Sequence, residues 1–215
     1  MKYSFFILFL ILFSETQAQD PDRFKEELVQ IQEKYNSVWD ASKETVVFTG
    51  SSSIRIWKNL QEIFPEHQII NTGFGGSHAS DLLFHLDALV LKYNPKKVFI
   101  YEGDNDIYAK KKAKDIIATT REIINKIKNK LPNAQIVLIS AKPSIARWNL
   151  KGKYKRFNRK MSKLAKKGAD IEYSNVWNTM LTKRKLKKDL FIQDGLHMNA
   201  KGYELWYAVI KNYMN

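Results

Sequence analysis

The sequence predicts an α/β domain in which helices cover both faces of a five-stranded parallel sheet. Two observations carry this. From Thr45 onward, short β-branched and apolar runs alternate with longer segments of helical periodicity. The runs are apolar at nearly every position instead of every second one, the pattern of strands buried on both faces.

The elements follow in order. Asp20 to Asn36 is expected as an amphipathic helix, with Phe24, Leu28, Ile31 and Tyr35 on one face. Thr45 to Thr49 reads as the first strand and Ile54 to Phe64 as a helix. Gln68 to Asn71 is the second strand, followed by a helix over Ala79 to Lys92. Lys97 to Tyr101 is the third strand. The next helix, Ala113 to Lys130, has Ile116, Thr120, Ile123 and Ile127 in register. Gln135 to Ser140, a helix over Tyr154 to Lys167, and Asp170 to Ser174 complete the alternation. A final helix, Ala200 to Tyr213, is expected to be capped by Asn199.

Length and composition fit one globular domain: 215 residues, 44% hydrophobic and 27% charged. Met1 to Ala18 reads as a cleavable export signal. Lys2 supplies the positive start, Phe5 to Phe13 the apolar run, and Thr16-Gln17-Ala18 a small-x-small cleavage site. Those nine apolar residues fall short of the roughly 20 needed to span a bilayer. The domain proper is therefore expected over 19–215, outside the cytoplasm, with no stable membrane insertion. The absence of cysteine excludes disulfides, thiol catalysis and a lipid-modified N-terminal cysteine.

The net charge is +14, and 14 Lys/Arg against 2 Asp/Glu fall between Lys151 and Lys188. Such a face suits an anionic glycan, a phospholipid surface or nucleic acid. However, Lys155, Arg159, Lys163 and Lys166 interleave with Phe157, Met161 and Leu164 at helical spacing, which reads as a solvated face over a buried stripe. No nucleic-acid motif accompanies the charge, so no nucleic-acid partner is expected.

In a sheet of this kind ligands bind where the strands end in loops at their carboxyl edge. Four polar segments fall at such places. Ser51, Ser52 and Ser53 follow the first strand and open a helix, where unpaired N–H groups favour an oxyanion. Composition does not choose among these three serines, and a cap role fits them too. Gly75-Gly76 after the second strand presents backbone N–H groups with no side chain in the way. Gly103-Asp104-Asn105-Asp106 after the third offers a side-chain amide, and its two aspartates a weaker possibility as cation ligands. Asp194 and His197, three residues apart, place a carboxylate near an imidazole if the loop is tightly turned. His67, His78 and His85 are worse placed as bases, and the spacing offers no zinc set. Hydroxyl, imidazole, carboxylate and oxyanion donors are the parts that acyl transfer by a serine enzyme needs.

FTGSSSI, NTGFGGS, GDND and DGLH, in this order, resemble the blocks of the SGNH hydrolases, also called the GDSL esterase/lipase family. The likeness runs from about Val46 to Trp206. GSSSIRIW and SAKPSIARW resemble a secreted bacterial branch of that family. The resemblance implies a flavodoxin-like three-layer sandwich and hydrolysis of acyl esters without metal or other cofactor. It also implies Ser52 as nucleophile, Asp194 and His197 as its partners, and an oxyanion hole from Ser52, Gly76 and Asn105. Ser51 stands where the family usually has aspartate.

The expected activity is thus that of an exported carboxylic-ester hydrolase for short, acetyl-type esters, with glycans among the carriers. Arg55, Trp57, Tyr108 and Trp148 are candidate cleft residues. The alternatives are a lipid acyl hydrolase and a non-catalytic module binding anionic polymer.

Overall fold

The computed structural model describes residues 21–214. The expected export signal lies outside the described residues. A short 3-10 turn, Pro21–Phe24, leads into α1 (Lys25–Asn36). Then come β1 (Thr45–Gly50), α2 (Ser52–Arg55), α3 (Leu60–Ile63), β2 (Gln68–Gly73), α4 (Ala79–Phe84), α5 (Leu86–Leu89) and β3 (Lys97–Tyr101). The second half holds α6 (Asp104–Tyr108), α7 (Ala113–Lys130), β4 (Gln135–Ile139), α8 (Lys151–Ala165), β5 (Ile171–Ser174), β6 (Leu181–Thr182), β7 (Lys185–Leu186) and α9 (Ala200–Ile210).

Strands β1 to β5 form one parallel sheet in the order β2-β1-β3-β4-β5. This is the flavodoxin-like order, whose direction of winding reverses between β1 and β3. Successive strand residues enter two cores. Val47, Ile70, Val98 and Leu138 meet α1, α4, α5, α7 and α8 on one face. Phe48, Phe99, Val137 and Ile139 meet α2, α3 and α9 on the other. Full burial of each such side chain contributes roughly 1.5–3 kcal/mol, which explains strands without polar alternation.

Three segments differ from expectation. The helix expected over Ile54 to Phe64 is two single turns. The Asn71 amide donates to the Ile54 and Trp57 carbonyls at 2.8 and 3.2 Å, ending the first turn from outside it. The helix expected over Ala79 to Lys92 breaks at His85 (φ −94°, ψ 13°), whose ring packs edge-on against Phe24, Phe74 and Phe84. GDND, expected within the loop at the carboxyl edge of the third strand, continues into helix α6. The Lys-rich α8 is as expected, with Phe157, Met161 and Leu164 buried and Lys155, Arg159, Lys163 and Lys166 exposed.

Register sets the site. Gly50 pairs with Gly73 on one side and Tyr101 on the other, so β1, β2 and β3 end level. Gly50 has φ +121°, and a Cβ there would stand 2.1 Å from the Tyr101 carbonyl oxygen, so the chain can turn this close to β3 only as glycine. The loops after all three strands therefore emerge side by side.

Candidate active site

Burial separates the three serines. Ser51 and Ser53 are 2% and 3% exposed, whereas Ser52 is half-buried and its hydroxyl lies 2.9 Å from His197 Nε2. The two residues are 145 positions apart in the chain. Ser52 opens the single turn α2, whose first N–H groups have no intrahelical partner. Besides the Asn71 amide, the start of this turn is held from outside by Ser51 N–H, which donates to Tyr101 O at 3.0 Å, and by Tyr203 of α9, which donates its hydroxyl to Ser53 O at 2.9 Å.

Asp194 to His197 forms a tight turn with Gly195 at φ +63°. Asp194 Oδ1 accepts the backbone N–H groups of Leu196 and His197 at 2.8 and 2.9 Å, and Oδ2 lies 2.5 Å from His197 Nδ1. An ionised carboxylate can only accept, so Nδ1 carries the proton and Nε2 is left to accept from the Ser52 hydroxyl. Burial opposes ionisation of Asp194, but these two N–H groups and the ring outweigh it and lower its pKa to about 2. The geometry is that of a general base poised on a hydroxyl and oriented by a carboxylate.

The turn after β2 is pinned at three points. Gly75 N–H donates to both Glu27 oxygens at 3.0 and 2.9 Å, Arg23 donates to Gly76 O at 3.2 Å, and the Ser77 hydroxyl donates to Glu102 at 2.6 Å. Gly76 has φ +72°, which leaves its N–H presented without a Cβ penalty. Asn105, brought to the same edge by α6, donates its amide to Ser51 Oγ at 2.7 Å and to Ser77 O at 2.9 Å. Ser51, where the resembled family has aspartate, thus holds the amide one residue from Ser52.

Of the candidate cleft residues, Trp57 is corrected to a core position. It is 1% exposed and packs against Phe48, Tyr203 and Trp206, because α2 turns its apolar face into the sheet. Arg55 is exposed, with its guanidinium beside Gly75 and 3.3 Å from Glu27. Tyr108 is 59% exposed with Arg147 over its ring, and Trp148 is half-buried and stacked on Trp177.

A buried network behind the site escaped the sequence reading. Asp104 accepts from Tyr101 (2.7 Å), Tyr154 (2.6 Å) and Arg147 (2.6 Å), and lies 3.7 Å from Lys142. Lys142 in turn donates to Leu196 O at 2.7 Å, inside the Asp194–His197 turn. Arg147 donates to Asn105 Oδ1 at 3.0 Å, so the amide nitrogen must face Ser51. Neither Asp104 nor Asp106 is left for a cation: Asp106 faces Lys111 at 3.1 Å. Among the described residues no group of three or more metal-ligating side chains occurs. The available signal was a lysine, Lys142, three residues past the end of the apolar strand IVLI; in the structure it is buried. Glu102 is also buried; burial first, then Asp106, pushes its pKa well above the usual value.

The sequence profile of the GDSL-like lipase/acylhydrolase family matches residues 22–205. No curated protein matches the chain. Among solved structures, a Streptococcus pneumonia protein described as a candidate platelet activating factor is 25% identical. That match covers 89% of this chain and 94% of the other, with a TM-score of 0.78. A GDSL-like lipase from Bacteroides thetaiotaomicron is 19% identical over 90% and 96%, TM-score 0.70. An acetylxylan esterase from Geobacillus stearothermophilus is 15% identical over 79% and 93%, TM-score 0.65. A family match spanning most of the 215 residues, on the five-stranded α/β sheet described above, makes this chain a member of the GDSL-like lipase/acylhydrolase family.

Proposed function

We propose that this chain is an exported serine carboxylic-ester hydrolase for short acyl, acetyl-type esters, working as one domain over 19–215. The observation that carries the reading is the continuous hydrogen-bonded line from Ser52 Oγ through the His197 ring to Asp194, at 2.9 and 2.5 Å. Ser52 attacks the ester carbonyl as His197 takes its proton. The developing oxyanion takes hydrogen bonds from the N–H groups of Ser52 and Gly76, and from the Asn105 amide as it leaves Ser51 Oγ. His197 returns the proton to the departing alkoxide, and the acyl group remains on Ser52. Water, deprotonated by His197, then releases the acid.

The open setting supports small acyl groups: the Asp194 side chain is 41% and that of His197 22% exposed. The acetylxylan esterase of like fold acts on an ester of that kind. Export is supported by the Met1 to Ala18 pattern. Among the described residues no helix is long and apolar enough to cross a membrane. One observation favours a second reading, release of longer acyl chains. Ile145 and Ile192, 40% and 49% exposed, flank the Asp194–His197 turn. Acetyl and octanoyl 4-nitrophenyl esters separate the two. The proposal expects kcat/KM for acetyl to exceed octanoyl by about tenfold or more; the reverse order favours the second reading.

A further inference from the structure

Beside the triad lies a basic pocket that the hydrolytic machinery does not use. Strands β6 and β7 form an antiparallel hairpin closed by Lys183 and Arg184, with φ of +46° and +66°. Two-residue hairpins with this backbone ordinarily place Asn-Gly there, because residues with a Cβ are disfavoured at positive φ. Two long cationic side chains in succession are a local conflict, and such strain gathers where a segment serves a ligand. Both residues are exposed, so no packing demand explains them.

The hairpin borders a pocket of about 610 Å³, within the range of small-molecule sites. Ile145, Trp148 and Leu186 give it apolar and aromatic surface. Lys151, Arg184, Lys185 and Lys188 surround them, no acidic residue lines it, and among the described residues none of these four cations makes an ion pair. The nearest acid along the chain, Asp189, faces Lys201 at 3.9 Å. The pocket abuts the triad. Ile145 Cβ lies 3.1 Å from where a Cβ on Gly195 would stand, and Ala146 N–H donates to Gly195 O at 3.0 Å. Gly195 sits between Asp194 and His197.

We propose that this pocket binds the alcohol carrier of the ester, and that the carrier is an acidic saccharide bearing carboxylate or sulfate groups. The inference rests on the esterase reading above and names its substrate class. Uncompensated cations gathered in a concave site attract an anion more strongly than the same charges spread on a convex face. The Trp148 ring, stacked on Trp177 (6.3 Å, 15°), supplies an aromatic wall for a sugar ring, and Lys151 Nζ, 5.2 Å from the ring centroid, stands beside it to meet the sugar's anionic group. An anionic bilayer shares the charge but presents a broad surface, whereas a saccharide unit is of a size to enter a concavity of about 610 Å³.

The test compares an acetylated oligogalacturonate with an acetylated neutral xylo-oligosaccharide. For the native chain at low salt, kcat/KM is expected to favour the acidic substrate by about tenfold or more. The preference should collapse near 1 M salt, where the Debye length is about 3 Å. Arg184→Gln/Lys185→Gln is expected to lower the acidic-to-neutral ratio about tenfold through KM. Arg184→Gly should lower the ratio while raising the melting temperature, since glycine relieves the turn. An unchanged ratio in these variants, or a native preference for the neutral substrate, overturns the proposal. So does hairpin-dependent binding of phosphatidylglycerol vesicles without binding of oligogalacturonate. If the native chain turns over no ester, 4-nitrophenyl acetate included, the esterase reading fails separately. Calorimetry with unacetylated oligogalacturonate then decides the pocket: binding lost in the double variant upholds it, and no binding overturns it.

Discussion

Ser52→Ala and His197→Ala are each expected to lower kcat for an activated acetyl ester by about 10⁴-fold or more, and the double variant no further. The reason is the geometry. The Ser52 hydroxyl and His197 Nε2, 2.9 Å apart, act as one unit, so removing either part removes the proton transfer that both perform. Independent contributions would instead multiply. The fold should survive: Ser52 is half-buried, and the His197 N–H that shapes the turn is backbone and stays. Steady-state kinetics with a thermal melt of each variant checks this. An expected corollary is that Asp194, with its pKa at about 2, adds no limb to the rate profile above about pH 4.

Asp104→Asn is expected to be the most destabilising isosteric change near the site, at about 3–5 kcal/mol. It leaves buried Lys142 and the Arg147 guanidinium without their carboxylate and converts an acceptor for Tyr101 and Tyr154 into a poorer one. At roughly 2–4 °C per kcal/mol for a chain of this size, the melting temperature should fall by roughly 10 °C. Activity should fall too, because Lys142 holds the Leu196 carbonyl and Arg147 orients Asn105. The pH dependence has a definite sign. Burial raises the Asp104 pKa, but Lys142, Arg147 and two hydroxyls outweigh it, and the net shift is below the usual 3.8. Its stabilisation is therefore present above pH 3.8 and is lost as pH falls through the depressed value. Glu102 works oppositely: its raised pKa favours the fold below the usual 4.5, and that advantage is lost as pH rises through the folded value. Melting curves against pH should show Asp104→Asn removing the acid loss and Glu102→Gln the loss towards high pH. Unchanged curves would contradict these assignments.

What the sequence discloses follows from how local each determinant is. β1, β3 and β4 are legible because burial on both faces demands apolar residues at nearly every position. Helix breaks at Ile56 and His85 are not, because Asn71 and an aromatic cluster impose them from distant elements. The β6–β7 hairpin has two residues per strand, a single β-branched one, Thr182, and no glycine at its turn, so little local announces it. At the site, residue types and strand-end positions narrow the candidate nucleophile to three serines, and burial of Ser51 and Ser53 leaves Ser52 as the one proposed. Lys142 and Arg147 stayed hidden because their partners lie 38 to 54 residues away in the chain.

The central claim is that the hydroxyl of Ser52, and no other, becomes acylated. Treatment with a fluorophosphonate followed by peptide mass spectrometry tests it most directly. One phosphonyl group per chain is expected, on Ser52, appearing in step with loss of esterase activity and absent in His197→Ala. A label on Ser51 or Ser53, or complete inactivation with Ser52 unmodified, would contradict it.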